Sequence, residues 1–143
     1  MVISAFCGTG KSYLCEQSFD LKYIEFECWK YDQSEFPSNY VTDVLSRIGE
    51  VDIIFVSTNP MSLNLLIKSG VKVILIYPEL QLKDEYLSRY INRCSSYDFI
   101  KTLSTYWEIW IRESMANKSC QHVVLTQGQY ISDVLSQFIK ESK

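Results

Sequence analysis

The stretch Val2-Ile3-Ser4-Ala5-Phe6-Cys7-Gly8-Thr9-Gly10-Lys11-Ser12 decides the reading of this chain. Val2 to Ala5 is a short apolar run suited to a buried strand, and Lys11 to Ser18 reads as the helix that follows. Between them Gly8 and Gly10 can take backbone angles closed to other residues, so successive N–H groups can turn inward around an anion. A helix starting near Lys11 adds its unpaired N–H groups and the positive end of its dipole.

The eight residues Ala5 to Ser12 fit the phosphate-loop pattern G-x-x-x-x-G-K-[ST], with Ala5 where the first glycine usually stands. In that pattern Cys7, Gly8, Thr9, Gly10, Lys11, Ser12 and Tyr13 form the nucleotide-binding stretch. Lys11 is expected to reach the β- and γ-phosphate oxygens, and the Ser12 hydroxyl to be one ligand of the Mg²⁺ that rides with ATP. A glycine turn with no ligand would leave the Lys-Ser pair unexplained. Cys7 reads as a small spacer, since no base stands near it in sequence.

Outward from the loop the order strand, loop, helix repeats. Tyr23 to Cys28 alternates apolar and acidic residues and suits a strand with one wetter face. Tyr40, Val41, Val44, Leu45 and Ile48 fall at helical spacing, and Gly49 follows where a helix would stop. Val51 to Ser57 and Val71 to Tyr77 are nearly continuous apolar runs, as in strands covered on both faces. Between them Asn59-Pro60 predicts a capped helix closed by Gly70. Helices are expected at about Lys83 to Arg93 and Tyr97 to Met115, the second with Phe99, Ile100, Leu103, Trp107, Trp110 and Ile111 as a core stripe. A last strand, His122 to Thr126, precedes a helix carrying Val134, Leu135, Phe138 and Ile139. The pattern predicts an α/β fold of three layers, with a five-stranded parallel sheet and helices on both faces.

The 143 residues fit one domain, 1–143, and 47% hydrophobic residues suffice to fill its core. Fourteen Lys and Arg against seventeen Asp and Glu give a net charge of −3, which argues against a generic nucleic-acid binder. Five cysteines without paired CxxC spacing read as reduced thiols, and a single histidine, His122, excludes a multi-histidine metal site. With neither a leader-like nor a membrane-spanning segment, the expectation is a cytoplasmic protein with no membrane partner.

The loop Ala5 to Tyr13 resembles that of small phage and Gram-positive P-loop proteins similar to nucleoside-monophosphate kinases, whose loop typically reads A-F-P-G-T-G-K-S/T. Further stretches that resemble them are Phe36 to Tyr40, Val51 to Ser57, Tyr77-Pro78, Lys83 to Tyr86, Arg89 to Arg93 and Gly128 to Asp133. The resemblance implies the P-loop NTPase fold, ATP and Mg²⁺ as cofactors, phosphoryl transfer to a nucleoside or deoxynucleoside monophosphate, and the host cytoplasm if phage-encoded. This chain departs from it at Cys7, at Glu25 and Glu27 where aspartates are usual, and at Phe55-Val56-Ser57-Thr58, which lacks a terminal acid to hold Mg²⁺. Glu25 or Glu27 is expected to supply the missing carboxylate.

Glu85, Arg89 and Arg93 lie at i, i+4, i+8, opposite a packing face of Tyr86, Leu87, Tyr90 and Ile91. Arg89 and Arg93 are expected to act with Lys11 as catalytic cations, on a lid around 79–97. The aromatics Trp29, Tyr31, Phe36 and Tyr40 suit either a base-stacking cover or a packed loop. Alternatives to the nucleotide kinase are a non-catalytic nucleotide-binding regulator and a kinase for another small acceptor or a nucleic-acid 5′ end.

Overall fold

The computed structural model describes residues 1–11, 13–14 and 22–135. Strands β1 (Val2–Ala5), β2 (Tyr23–Glu25), β3 (Ile53–Val56), β4 (Val73–Pro78) and β5 (Gln121–Leu125) form one sheet in the order β2-β3-β1-β4-β5. Every neighbouring pair is parallel. The helices are α1 (Ser38–Arg47), α2 (Pro60–Lys68), α3 (Lys83–Asn92) and α4 (Tyr97–Ala116), with helical backbone also at Lys11, Tyr13, Leu14 and 131–135. The remainder of the expected helix over Lys11 to Ser18, and of the last helix through Phe138 and Ile139, lies outside the described residues.

The continuous apolar runs are explained by a sheet covered on both faces. All four residues of β1 and of β3 are buried, and alternate side chains enter different cores. Val2, Ile54, Val73 and Leu75 pack with α1, α2, α3 and α4, whereas Ile3, Ala5, Phe55 and Ile76 pack with Leu14, Ile131 and Val134. The chain therefore leaves β1 toward one face and β3 toward the other. The crevice that this divergence opens, at the carboxyl ends of adjacent strands, is where open α/β sheets take ligands.

Local signals explain several boundaries. The Asn59 side chain accepts from the N–H groups of Met61 and Ser62, with Pro60 in the first helical position, and Gly70 closes α2. On α4, Leu103, Trp107 and Ile111 are fully buried, with Phe99, Ile100 and Trp110 half-buried against the same core. Ile91, expected on the packing face of α3, is 61% exposed, because the buried stripe runs through Tyr86 and Tyr90 and Ile91 is turned about 100° away.

Two strands are shorter than their sequence pattern. β2 stops at Glu25, since the Phe26 carbonyl accepts from the Tyr40 hydroxyl at 2.9 Å and the chain then turns into the 3₁₀ segment Cys28–Lys30. β3 starts at Ile53, where the N–H groups of Asp52 and Ile53 share Lys22 O at 2.9 and 3.1 Å and the Asp52 carboxylate takes the Lys22 N–H at 2.8 Å. Of the aromatics on the connecting loop, Tyr31 and Phe36 pack edge-on against the wholly buried Tyr40, and Trp29 stays 74% exposed. No helix among the described residues is long and apolar enough to cross a membrane.

Tyr40 ties the ends of two strands together, because its hydroxyl also accepts the Ser57 N–H at 2.9 Å. Burial raises its phenol well above the usual tyrosine range, so it stays a neutral donor. Tyr40→Phe strands a carbonyl and an amide, and is expected to cost about 1–3 kcal/mol. Tyr86 offers the contrast: among the described residues its buried hydroxyl meets no well-formed partner, Arg89 being the polar side chain near it, so Tyr86→Phe is expected to cost much less than Tyr40→Phe in the same urea titration.

Candidate functional site

The site is the turn from Phe6 to Lys11 at the carboxyl end of β1. Gly8 has φ +85° and Gly10 φ +95°, angles that strain all other residues. Space opposes them too. A Cβ on Gly8 would lie 2.8 Å from Tyr90 Cε1, and one on Gly10 would lie 2.8 Å from Tyr130 Cδ1.

Each carbonyl of the turn has its own donor. Phe6 O accepts from Thr9 Oγ1 at 2.7 Å, Cys7 O from the Tyr90 hydroxyl at 2.8 Å, and Gly8 O from Arg89 Nη1 at 2.8 Å. Thr9 O accepts from the Ile131 N–H at 2.9 Å and Gly10 O from the Leu14 N–H at 3.0 Å. Among the described residues, no acceptor from another residue meets the N–H of Gly8, Thr9 or Gly10, and the Cys7 N–H meets only its own sulfur. Because a peptide unit is planar and trans, its N–H points opposite to its carbonyl. Five bound carbonyls therefore orient five N–H groups, from Cys7 to Lys11, away from the supporting protein. Consecutive amides presented in this way make an anion-binding concavity.

The supporting elements are α3 and the segment 126–131 after β5. Arg89 is 11% exposed, its guanidinium 4.2 Å from the Tyr86 ring centre and 4.0 Å from that of Tyr130. Nη2 donates to Gln129 O and to the Glu85 carboxylate, both at 3.1 Å, and the other Glu85 oxygen accepts the Gly128 N–H at 3.0 Å. Burial pushes the Tyr86 phenol up to about 12, with the Arg89 charge opposing.

The expected site residues are distributed as follows. Cys7, Gly8, Thr9 and Gly10 build the turn, and Lys11 follows with its ammonium 3.1 Å from the Glu25 carboxylate. Glu27 instead pairs with Lys30 at 3.5 Å. Arg93 donates to Ser95 Oγ at 3.0 Å and lies over the Tyr90 and Phe99 rings, close enough that its charge acts on the Cys7 thiol. Tyr13 is exposed, its ring 6.5 Å from that of Tyr130. Ser12 lies outside the described residues. Among the described residues no group of three or more His, Cys, Asp or Glu could hold a metal ion. β3 runs out into Ser57, Thr58 and Asn59, where Ser57 Oγ accepts the Asn59 N–H at 3.0 Å.

Segment 79–97 contributes α3, which meets the turn on the side of its carbonyls. Sequence reasoning did not assign Gly128, Gln129 and Tyr130 to the site; the usable signal was a glycine just after an apolar strand, the position of a turn. No protein-family model matches this chain, and no curated protein matches it.

Gly8→Ala combines strain and collision, whereas Gly70, with φ +87° and open space around it, would meet strain alone. Gly70→Ala is expected to cost about 1–2 kcal/mol in urea unfolding and Gly8→Ala clearly more. Burial raises the Cys7 thiol, with the Lys11 and Arg93 charges opposing. With the other four cysteines replaced by serine, iodoacetamide labelling of Cys7 is expected to rise through a midpoint above that of an unstructured cysteine. Lys11→Met removes a charge that favours the thiolate, so it moves the midpoint further up.

Proposed function

We propose that this chain is a P-loop phosphotransferase that transfers a phosphoryl group from MgATP to a nucleoside or deoxynucleoside monophosphate in the cytoplasm. The observation that carries the reading is the turn itself: bound carbonyls on one side, N–H groups without described acceptors on the other, and a lysine at its end. A polyphosphate supplies the acceptors those amides lack. It also offers Lys11 a stronger partner than the half-exposed Glu25 carboxylate, whose pairing in water is worth at most about 1 kcal/mol.

In the proposed reaction an oxygen of the acceptor's phosphate attacks the γ-phosphorus. The bond to the β,γ-bridging oxygen breaks, and ADP leaves with that electron pair. A phosphate nucleophile needs no strong base, so the chain's task is positioning and charge. Loop amides and Lys11 hold the β- and γ-oxygens, and Arg93, over the ring of the Tyr90 whose hydroxyl holds Cys7 O, is the further cation available to the moving group. The magnesium that accompanies ATP neutralises developing charge. Ser12 by its place in the motif, and Glu25 by its place beside Lys11, are the groups suited to it.

One observation favours a second reading, a nucleotide-binding regulator without turnover. β3 ends at Val56 and runs on into Ser57 and Thr58, so the strand end itself carries no carboxylate; Glu113 of α4 lines the same cavity from across it.

At 100 times Kd a bound nucleotide is expected to stabilise the fold by about 2.7 kcal/mol, a melting shift of roughly 10 °C. Lys11→Met should remove most of that shift while the unliganded protein melts as before. ADP release stimulated by a monophosphate supports the kinase, and binding without turnover supports the regulator. No shift with any nucleotide defeats both.

A further inference from the structure

We propose that Arg89 is a positioning residue of the phosphate loop, and that with Glu85 it joins the segment 126–131 to that loop as one cradle. This inference rests on reading the loop as a polyphosphate site.

The contacts of Arg89 point away from a role over the transferred group. One guanidinium nitrogen is bound to Gly8 O, the other to Gln129 O and to Glu85, and the guanidinium carbon lies over the rings of both Tyr86 and Tyr130. Holding Gly8 O fixes the plane of the Gly8–Thr9 peptide and thereby aims the Thr9 N–H. The same side chain fixes Gln129 O, two residues before the Ile131 N–H that holds Thr9 O and so aims the Gly10 N–H. Glu85 closes the arrangement by accepting both Arg89 and the Gly128 N–H. One arginine therefore orients two neighbouring amides of the anion site, one directly and one through the segment after β5. A lysine cannot reproduce this, because a single ammonium lacks the flat fork that spans both carbonyls.

Inorganic pyrophosphate engages the loop amides with no acceptor present, so its affinity reads the geometry of the loop apart from any assistance to the transferred group. Calorimetric titration of pyrophosphate into wild type, Arg89→Lys, Arg89→Ala and Glu85→Gln tests the proposal. Arg89→Ala is expected to weaken pyrophosphate about ten-fold or more, as for loss of a charge-assisted hydrogen bond. Glu85→Gln, which keeps an acceptor for the Gly128 N–H, should fall between it and wild type. Millimolar guanidinium should restore binding to Arg89→Ala and leave wild type unchanged, a response that a general loss of packing would not give.

If Arg89→Ala loses less than about five-fold, or loses affinity that guanidinium does not restore, the proposal is overturned while the loop reading stands. If Arg89→Ala does not fold, Arg89→Lys carries the same five-fold threshold. If wild type itself binds neither pyrophosphate nor any nucleotide, the loop reading fails, and this failure is distinct because it precedes any variant.

Discussion

The structure depends on a constraint at the scale of a single peptide plane: five consecutive carbonyls, from Phe6 to Gly10, are each bound, so the amides behind them cannot rotate. The donors come from the turn itself, from α3, from the residue after segment 126–130 and from the first turn of the following helix. Parallel strand order brings these together, because β1 lies at the centre of the sheet with β4 beside it and β5 beyond. The two cores that flank β1 fix the strand from which the turn emerges.

Aromatic packing makes this constraint stiff. Tyr86, Tyr90 and Trp107 are all buried, and Phe6 meets the edge of Trp107 with ring centres 5.3 Å apart. The tyrosines approach so closely that only hydrogen fits at the Gly8 side-chain position. Glycine is therefore required here twice, by backbone angle and by the volume of neighbours that come from eighty residues away.

Signals confined to a few consecutive residues were legible in the sequence. The alternation of strands and helices, the Asn59-Pro60 start of α2 and the apolar stripe of α4 all follow from local chemistry or from the 3.6-residue period, and the structure has each of them. The environment of Arg89 was not legible. Spacing from Glu85 to Arg93 puts three charges on one stripe, which reads as a row of lid cations, and nothing in it announces that Tyr130, forty-one residues further on, covers the Arg89 guanidinium. Tyr40 was hidden for the same reason, since its partners Phe26 and Ser57 are distant in sequence and both are main-chain groups. In each case a polar group's role was set by where another segment's backbone ends, and residue type carries no record of that.

The contact between Phe6 and Trp107 also gives the chain an optical gauge. An indole whose N–H is anchored on Leu80 O at 2.8 Å rests against the residue that opens the glycine turn, while Trp29 sits in water. With the half-buried Trp110 replaced by phenylalanine, red-edge light will address the solvated ring and shorter-wavelength emission the buried one, so the state of the turn is written into the blue part of the protein's own fluorescence.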